Sequence, residues 1–296
     1  MAWPELSWIE RFAPSPTGPL HLGHAYSALT AWDRAVENGG EFLLRIEDID
    51  QSRCRPEWEV QIFEDLEWLG IWWPKPVLRQ SERSLVYQKK IEKLWQQHAL
   101  FACSCSRKDI LDAPQEGTPI LGSDGVVYPG TCSANIASPG DVGIPKNTAL
   151  RLNMSYASSI GYLKDGKNCF SFVETGCSPE GQTGLIEFSA DEAIETIGDI
   201  VLARRDMGTS YHLSVVLDDA FQGVTHVTRG QDLFEATKIH VILQKLLGLP
   251  TPVYHHHALI RDENGKRLAK RDDARAISKY RAEGATPQDI RYMVGL

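Results

Sequence analysis

Residues 9–40, IERFAPSPTGPLHLGHAYSALTAWDRAVENGG, read as one strand, one turn and one helix. Ile9 to Ala13 is short and partly apolar, and Pro14 and Pro16 close it at a sharp bend. Beyond the bend, Ala25, Ala28, Leu29, Trp32, Ala35 and Val36 recur at helical spacing, and Asn38-Gly39-Gly40 ends the pattern. His21-Leu22-Gly23-His24 lies at the junction. A glycine that admits close approach, unpaired backbone N–H groups and the positive end of a helix dipole together suit an anion. A nucleotide phosphate is the anion expected there.

Glu41 to Glu47 (EFLLRIE) is apolar enough for a buried parallel strand, so strand, helix and strand give half of a Rossmann-type α/β fold. Gly-x-Gly-x-x-Gly is missing from this unit, which argues against a dinucleotide cofactor. Pro56 opens a helix with Trp58, Ile62, Leu66 and Leu69 on one side and Gly70 as its stop. A further helix follows Ser81, with Tyr87, Ile91, Leu94, Trp95 and His98 on one face, all read as structural. Later, Ile200–Arg204, Tyr211–Leu217 and Val224–Thr228 read as strands. Asp232–Leu247 reads as a helix capped by Asp232, with Glu235 completing a capping box and Gly248 as stop. His255-His256-His257 is taken as a strand rather than a metal site, since only His255 and His257 share a face. It leads into a turn at Asp262-Glu263-Asn264-Gly265.

With 296 residues, 42% of them hydrophobic, the chain can bury a substantial core. No apolar run reaches the length of a membrane span, and Met1–Glu5 lacks the features of a signal peptide, so a cytoplasmic protein without membrane contact is expected. The net charge of −8 speaks against nucleic acid only on average. Residues 41–67 hold nine acids against three bases, whereas 261–281 hold eight bases against four acids, a candidate RNA-facing surface.

Residues 101–132 break the helix–strand rhythm and are rich in Gly, Pro, Ser and Asp. Cys103, Cys105 and Cys132 with Tyr128 could tie this loop together through a tetrahedral zinc, the alternative being three unconnected thiols. Residues 153–190, with Cys169 and Cys177, suggest no function; two lone thiols are expected.

Three stretches are informative in combination: Arg11-Phe12-Ala13-Pro14-Ser15-Pro16-Thr17-Gly18 before the His-x-Gly-His turn, Arg45-Ile46-Glu47-Asp48-Ile49-Asp50 after the helix, and Lys266-Arg267-Leu268-Ala269-Lys270-Arg271. With these the chain resembles the class I glutamyl-tRNA synthetase family from about Arg11 to Ala274, including its HIGH and KMSKS elements. The resemblance implies a Rossmann-type catalytic domain in two halves, 1–100 and 151–255, the second containing the insert at 153–190. It further implies a zinc-bearing insertion at 101–150 and a final segment, 256–296, carrying the KMSKS-like loop. One structural Zn2+ would be held by Cys103, Cys105, Tyr128 and Cys132. Arg11, Ser15, Glu47, Tyr211 and Arg229 match glutamate-pocket positions; Glu47 is assigned to the substrate ammonium and the others to its carboxylates. ATP, with Mg2+, would meet His21, Gly23, His24 and Lys270, of which His21, His24 and Lys270 are assigned to catalysis. Arg267 and Ala269 depart from the KMSKS pattern, and the missing serine hydroxyl removes one hydrogen bond to ATP.

The implied reaction is attack of a glutamate carboxylate on the α-phosphate of ATP, giving an acyl-adenylate and pyrophosphate. Members that charge tRNA(Glu) continue into a helical anticodon-reading domain, whereas this chain stops at Leu296. It is therefore similar to a shortened branch that transfers glutamate to the queuosine base in the anticodon of tRNA(Asp), and is expected to be a monomer. The alternatives are a minimal synthetase charging tRNA(Glu), another class I nucleotidyltransferase with the same turn, and a non-catalytic RNA-binding paralogue.

Overall fold

The structure, a computed structural model, describes residues 7–113, 120–122, 124–135, 143–164, 166–260 and 275–296. Strand β1 (Ile9–Phe12) leads through the proline-rich turn into helix α1 (Leu22–Glu37), and β2 (Glu41–Ile46) returns parallel to β1. Helix α2 (Pro56–Trp68) follows, with Pro56 in its first turn, and β3 (Leu78–Arg79) joins the outer edge of β2 in parallel. These elements match the expected strand–helix–strand unit. Helix α1 buries Leu29 and four alanines, Ala25, Ala28, Ala31 and Ala35, whose small side chains let it lie close on β1 and β2.

Helix α3 (Ser84–Gln96) buries Tyr87, Ile91, Leu94 and Trp95 as its spacing predicts, and β4 (Leu100–Cys103) enters the insertion. Within the insertion lie α4 (Arg107–Leu111) and a small hairpin of β5 (Leu121–Gly122) and β6 (Gly125–Val126). Strand β7 (Ala149–Leu152) leaves it antiparallel to β4. Residues 153–190, functionally silent as sequence, form α5 (Met154–Ser158) and an antiparallel set: β8 (Tyr162–Lys164), β9 (Lys167–Glu174) and β10 (Gly184–Ser189). Phe170, Phe172 and Phe188 from this set are buried in the central core. Cys169 and Cys177 are free thiols and belong to no metal-ligating cluster among the described residues.

After α6 (Ala190–Thr196), β11 (Val201–Ala203) pairs with β7. The run Tyr211–Leu217, expected as a strand, is instead the start of helix α7 (Tyr211–Phe221). Ser210 caps it by accepting from the Leu213 N–H at 3.4 Å, and every residue from His212 to Asp219 is buried. A run buried on all sides has no clear period to distinguish a strand from a helix, and the paired valines favoured the wrong one. Strand β12 (His226–Gly230) begins two residues later than expected. Helix α8 (Phe234–Leu247) starts from a 3₁₀ turn at Gln231–Leu233, so its N-cap is Leu233 and the capping box assigned to Asp232 and Glu235 does not form. Gly248 ends it with φ +65°, the left-handed conformation expected of that stop.

Strand β13 (Val253–His257) runs parallel to both β12 and β9. Strands β1 and β12 lie side by side, joined where Thr225 N–H donates to Ile9 O at 3.0 Å. Deeper in, Thr228 Oγ1 donates to Glu10 Oε1 at 3.1 Å, and Arg34 Nε donates to the same oxygen at 3.2 Å. The order β3-β2-β1-β12-β13 therefore brings the carboxyl ends of β1, β2 and β12 to one side, where open α/β sheets bind ligands. Two helices end the chain, α9 (Ile277–Ala282) and α10 (Pro287–Val294), the latter packed on α1. Part of the described C-terminal positive charge is paired within the chain. Arg281 lies 3.8 Å from Glu64 and 3.9 Å from Asp65, and Arg291 pairs with Asp33 at 2.7 Å. Lys279 is exposed and makes no ion pair among the described residues. No helix among the described residues is long and apolar enough to cross a membrane.

Candidate active site

His21 is the N-cap of α1, and the two histidines cap the helix reciprocally. Gly23 N–H donates to His21 Nδ1 at 3.1 Å, His21 N–H donates to His24 Nδ1 at 3.2 Å, and the rings stack at 3.8 Å. Because each Nδ1 accepts, each neutral ring carries its proton on Nε2, as a donor suited to a phosphate oxygen. Leu20 O accepts from Ile277 N–H at 2.9 Å, and Ala276 forms a bridge with His21. Ala276, five positions beyond Arg271 of the basic loop, thus touches the start of α1. Lys270 itself, the Asp262–Gly265 turn and the rest of the KMSKS-like loop lie outside the described residues.

Beyond the turn, Glu47 N–H donates to Pro14 O at 3.0 Å, which fixes the end of β2 against the Pro14–Pro16 bend. Ser15 is exposed at that bend, and its carbonyl accepts from Thr17 N–H. Arg11, at the end of β1, gives Nε and a terminal nitrogen to the two oxygens of Asp219, at 3.1 and 3.3 Å. Arg45, fully buried, reaches Asp219 at 2.7 Å, Gln222 at 3.0 Å and Glu47 at 3.0 Å. Burial pushes the Glu47 carboxyl up, opposed by Arg45 and Arg11. Burial acts in the same direction on Asp219, but Arg11 and Arg45 outweigh it and hold this carboxyl below its ordinary 3.8. Asp218 next to it accepts from Gln80, Arg83 and Tyr87 at 2.7–2.9 Å, and so locks α7 to α3.

Arg229, on β12, differs from these arginines. Its three nitrogens donate to His256 Nε2 at 3.1 Å, His240 Nδ1 at 3.1 Å and Thr237 Oγ1 at 2.5 Å. Burial, together with the Arg229 charge, holds His240 well below its ordinary 6.5, and burial lowers His256 as well. Both rings are therefore neutral acceptors. A guanidinium 5% exposed is left without a direct ion pair among the described residues, while up to two of its five N–H groups remain to be used. Tyr211, half-buried at the start of α7, interacts electrostatically with Arg229, Glu47 and Arg11, and burial raises its phenol. Four of the five glutamate-pocket candidates thus share one electrostatic neighbourhood, and Ser15 lies on the loop next to it. Asp219, Arg45, His240 and Thr237 were not identified from sequence. The only sign was Asp218-Asp219, two carboxylates closing an otherwise apolar run.

A cavity of about 590 Å³ opens between this neighbourhood and the insertion, with Tyr211, His212, Asp124, Tyr128 and Arg151 in its wall. Below it, Cys103, Cys105 and Cys132 bring their sulfurs within 4.8 Å of one another. Tyr128 Oη lies 3.6 Å from the sulfurs of Cys103 and Cys105, and Cys105 Sγ lies 3.5 Å from Cys132 Sγ. Zn–S bonds near 2.3 Å and a Zn–O bond near 2.0 Å at tetrahedral angles would separate the ligands by about 3.5–3.8 Å, so the donor set fits that ion. Arg151 supports the cluster from outside, donating to Cys103 Sγ at 3.3 Å with its guanidinium 3.9 Å from the centre of the Tyr128 ring.

A family model described as tRNA synthetases class I (E and Q), catalytic domain, matches residues 9–119 and 175–296. A Glutamyl-Q tRNA(Asp) synthetase of Rhodobacter capsulatus is 60% identical over 292 residues, covering 97% of this chain and all of its own length. A protein of the same name from Symbiobacterium thermophilum is 36% identical over 97% of this chain and 86% of its own. Among solved structures, a glutamate tRNA ligase from Elizabethkingia meningosepticum in complex with its amino acid superposes with a TM-score of 0.72 at 25% identity. It matches 98% of this chain, which spans 60% of that ligase. A methionyl-tRNA synthetase from Mycobacterium tuberculosis, 11% identical with a TM-score of 0.55, shares the fold. The chain belongs to the class I tRNA synthetases of the E and Q group, through their catalytic domain.

Proposed function

We propose that the protein activates L-glutamate with ATP and transfers it to the queuosine base in the anticodon of tRNA(Asp). The observation that carries the activation step is Arg229, a buried guanidinium whose direct partners are neutral. A substrate carboxylate supplies the missing anion. Glutamate has two carboxylates and one ammonium, and the neighbourhood offers Arg229 with Tyr211, Arg11 with Ser15, and Glu47 for the ammonium. Arg11 already spends two donors on Asp219, so Arg229 is the stronger carboxylate partner. An ammonium beside Glu47 also counters the burial that raises its carboxyl.

The attacking carboxylate is ionised at neutral pH, so no general base is needed. Nε2–H of His21 and of His24, with Lys270 from the basic loop, would stabilise charge on the transferring phosphates, and Gly23 lets them approach the helix start. Mg2+ enters with ATP as part of that substrate. The acceptor rests on the 60% identical relative's name and its full-length match. In this reading, residues 1–100 and 151–255 are the halves of the catalytic domain, 101–150 the metal-bearing insertion and 256–296 the loop and C-terminal segment. The test is glutamate-dependent ATP–pyrophosphate exchange: glutamate should support it, and glutamine and aspartate should not. Equal exchange with glutamine would remove Arg229 as the basis for selection.

Cys103, Cys105, Cys132 and Tyr128 would hold one Zn2+, joining the end of β4 to the Tyr128–Cys132 turn. Its role there is structural. Cys105→Ser should lower bound zinc from about one per chain to well under half and make residues 103–132 the first site of proteolysis, as measured by metal analysis and limited digestion. Full zinc retention in that variant would exclude the assigned ligand set.

A further inference from the structure

We infer that Glu174 is a positioning residue for Arg229, acting through His256, an inference that rests on the glutamate-activating role just proposed. Glu174 ends β9, just before the second stretch matched by the family model, which resumes at residue 175. Both oxygens of its carboxylate are engaged. Oε1 accepts from the backbone N–H of His256 at 2.9 Å and of Gly176 at 2.7 Å, and Oε2 lies 2.5 Å from His256 Nδ1. On the other side of the same ring, Nε2 accepts from Arg229 Nε at 3.1 Å. Gly176 makes the approach possible, since a Cβ there would lie 2.3 Å from His256 O.

The consequence follows from proton positions. A carboxylate at Nδ1 places the imidazole proton there and leaves a lone pair on Nε2. Only in that tautomer can Nε2 accept from the guanidinium. Glu174 also sets the orientation of the ring, being bonded to both its backbone and its side chain. The three groups form a carboxylate–imidazole–guanidinium row, in which the anion is separated from the arginine by a neutral ring. Arg229 is thereby held in place without a carboxylate occupying the N–H groups that a substrate needs. A direct Glu–Arg pair would hold the arginine equally well and block it.

Glu174→Gln tests this with little change of volume. In one amide orientation its N–H₂ faces Nδ1 and drives the proton to Nε2, against the Arg229 N–H; in the other it faces the two backbone N–H groups. Either way a donor meets a donor. Expected are a rise of about tenfold in KM for glutamate, with KM for ATP and kcat within threefold of wild type, and partial recovery in Glu174→Asp. A merely structural role would instead move both KM values together and would be confirmed by an unchanged ratio between them. A second measurement needs no variant enzyme to be active: ¹⁵N NMR of the histidine-labelled wild-type chain at pH 7.5, with His256 assigned by its loss in His256→Gln. Protonated Nδ1 and unprotonated Nε2 support the inference. An imidazolium or the opposite tautomer overturns it, whatever the kinetics. Absence of glutamate-dependent exchange in the wild type would sink the functional reading alone, leaving the tautomer to judge the positioning.

Discussion

Arg229→Ala is expected to lower kcat/KM for glutamate in pyrophosphate exchange by roughly 10²- to 10³-fold, with KM for ATP nearly unchanged. Truncating a buried, hydrogen-bonded charge that meets an opposite charge costs about 2–5 kcal/mol, and each 1.4 kcal/mol is tenfold. The folded protein should lose little, because the groups left behind are neutral: His256, His240 and a threonine hydroxyl. Removing a buried cation that has no direct ion pair also removes its desolvation cost. Arg229→Ala should therefore separate function from stability, with a melting temperature close to wild type. A large fall in melting temperature with an unaltered glutamate KM would make Arg229 a structural arginine and remove the central support for the glutamate site.

Asp219→Asn should do the opposite. Asp219 is the common partner of Arg11 and Arg45, both buried, and the amide that replaces one oxygen presents N–H to a guanidinium. Arg45 keeps Glu47 and Gln222, whereas Arg11 is left with the single amide oxygen. Breaking a buried pair in this way costs about 3–5 kcal/mol, which corresponds to a loss of roughly 10 °C in melting temperature for a chain of this size. The sign of its pH dependence is fixed by the depressed carboxyl. Because Asp219 titrates below its ordinary 3.8 when folded, its contribution is present at neutral pH and disappears as the pH falls through and below that value. The difference between wild type and Asp219→Asn should accordingly be large at pH 7 and shrink towards pH 3. Equal melting curves at pH 7 would show that Arg11 and Arg45 are held by something other than this carboxylate.

The helix start at His21–His24, the buried strand that follows and the helix stops at Gly70 and Gly248 were legible because each depends on neighbours within a few residues. The thiol cluster was legible as a donor set, though not as a geometry. The residues Arg11, Glu47, Tyr211 and Arg229 were read from motif positions, and the groups that support them were not. Asp219 lies 208 positions from Arg11, and Glu174 lies 82 from His256, so only the parallel pairing of β9, β13 and β12 brings the row together. The error at Tyr211–Leu217 has the same origin. Burial on every side erases the periodicity that distinguishes helix from strand, and the Ser210 cap is a single weak cue. Charge counting over 261–281 does not show that Arg281 faces Glu64 and Asp65 from elsewhere in the chain. Charge reversal at Arg281 would disturb the α2 contact as well as any RNA, so Lys279 is the better probe of that surface.

Acceptor identity is decided by supplying labelled glutamate with ATP and Mg2+ to three RNAs in parallel: tRNA(Asp) carrying queuosine, tRNA(Asp) lacking it, and tRNA(Glu). Label on queuosine-bearing tRNA(Asp) alone is the predicted result. Label on tRNA(Glu), or equal label on both forms of tRNA(Asp), would contradict it and make this a minimal aminoacylating synthetase.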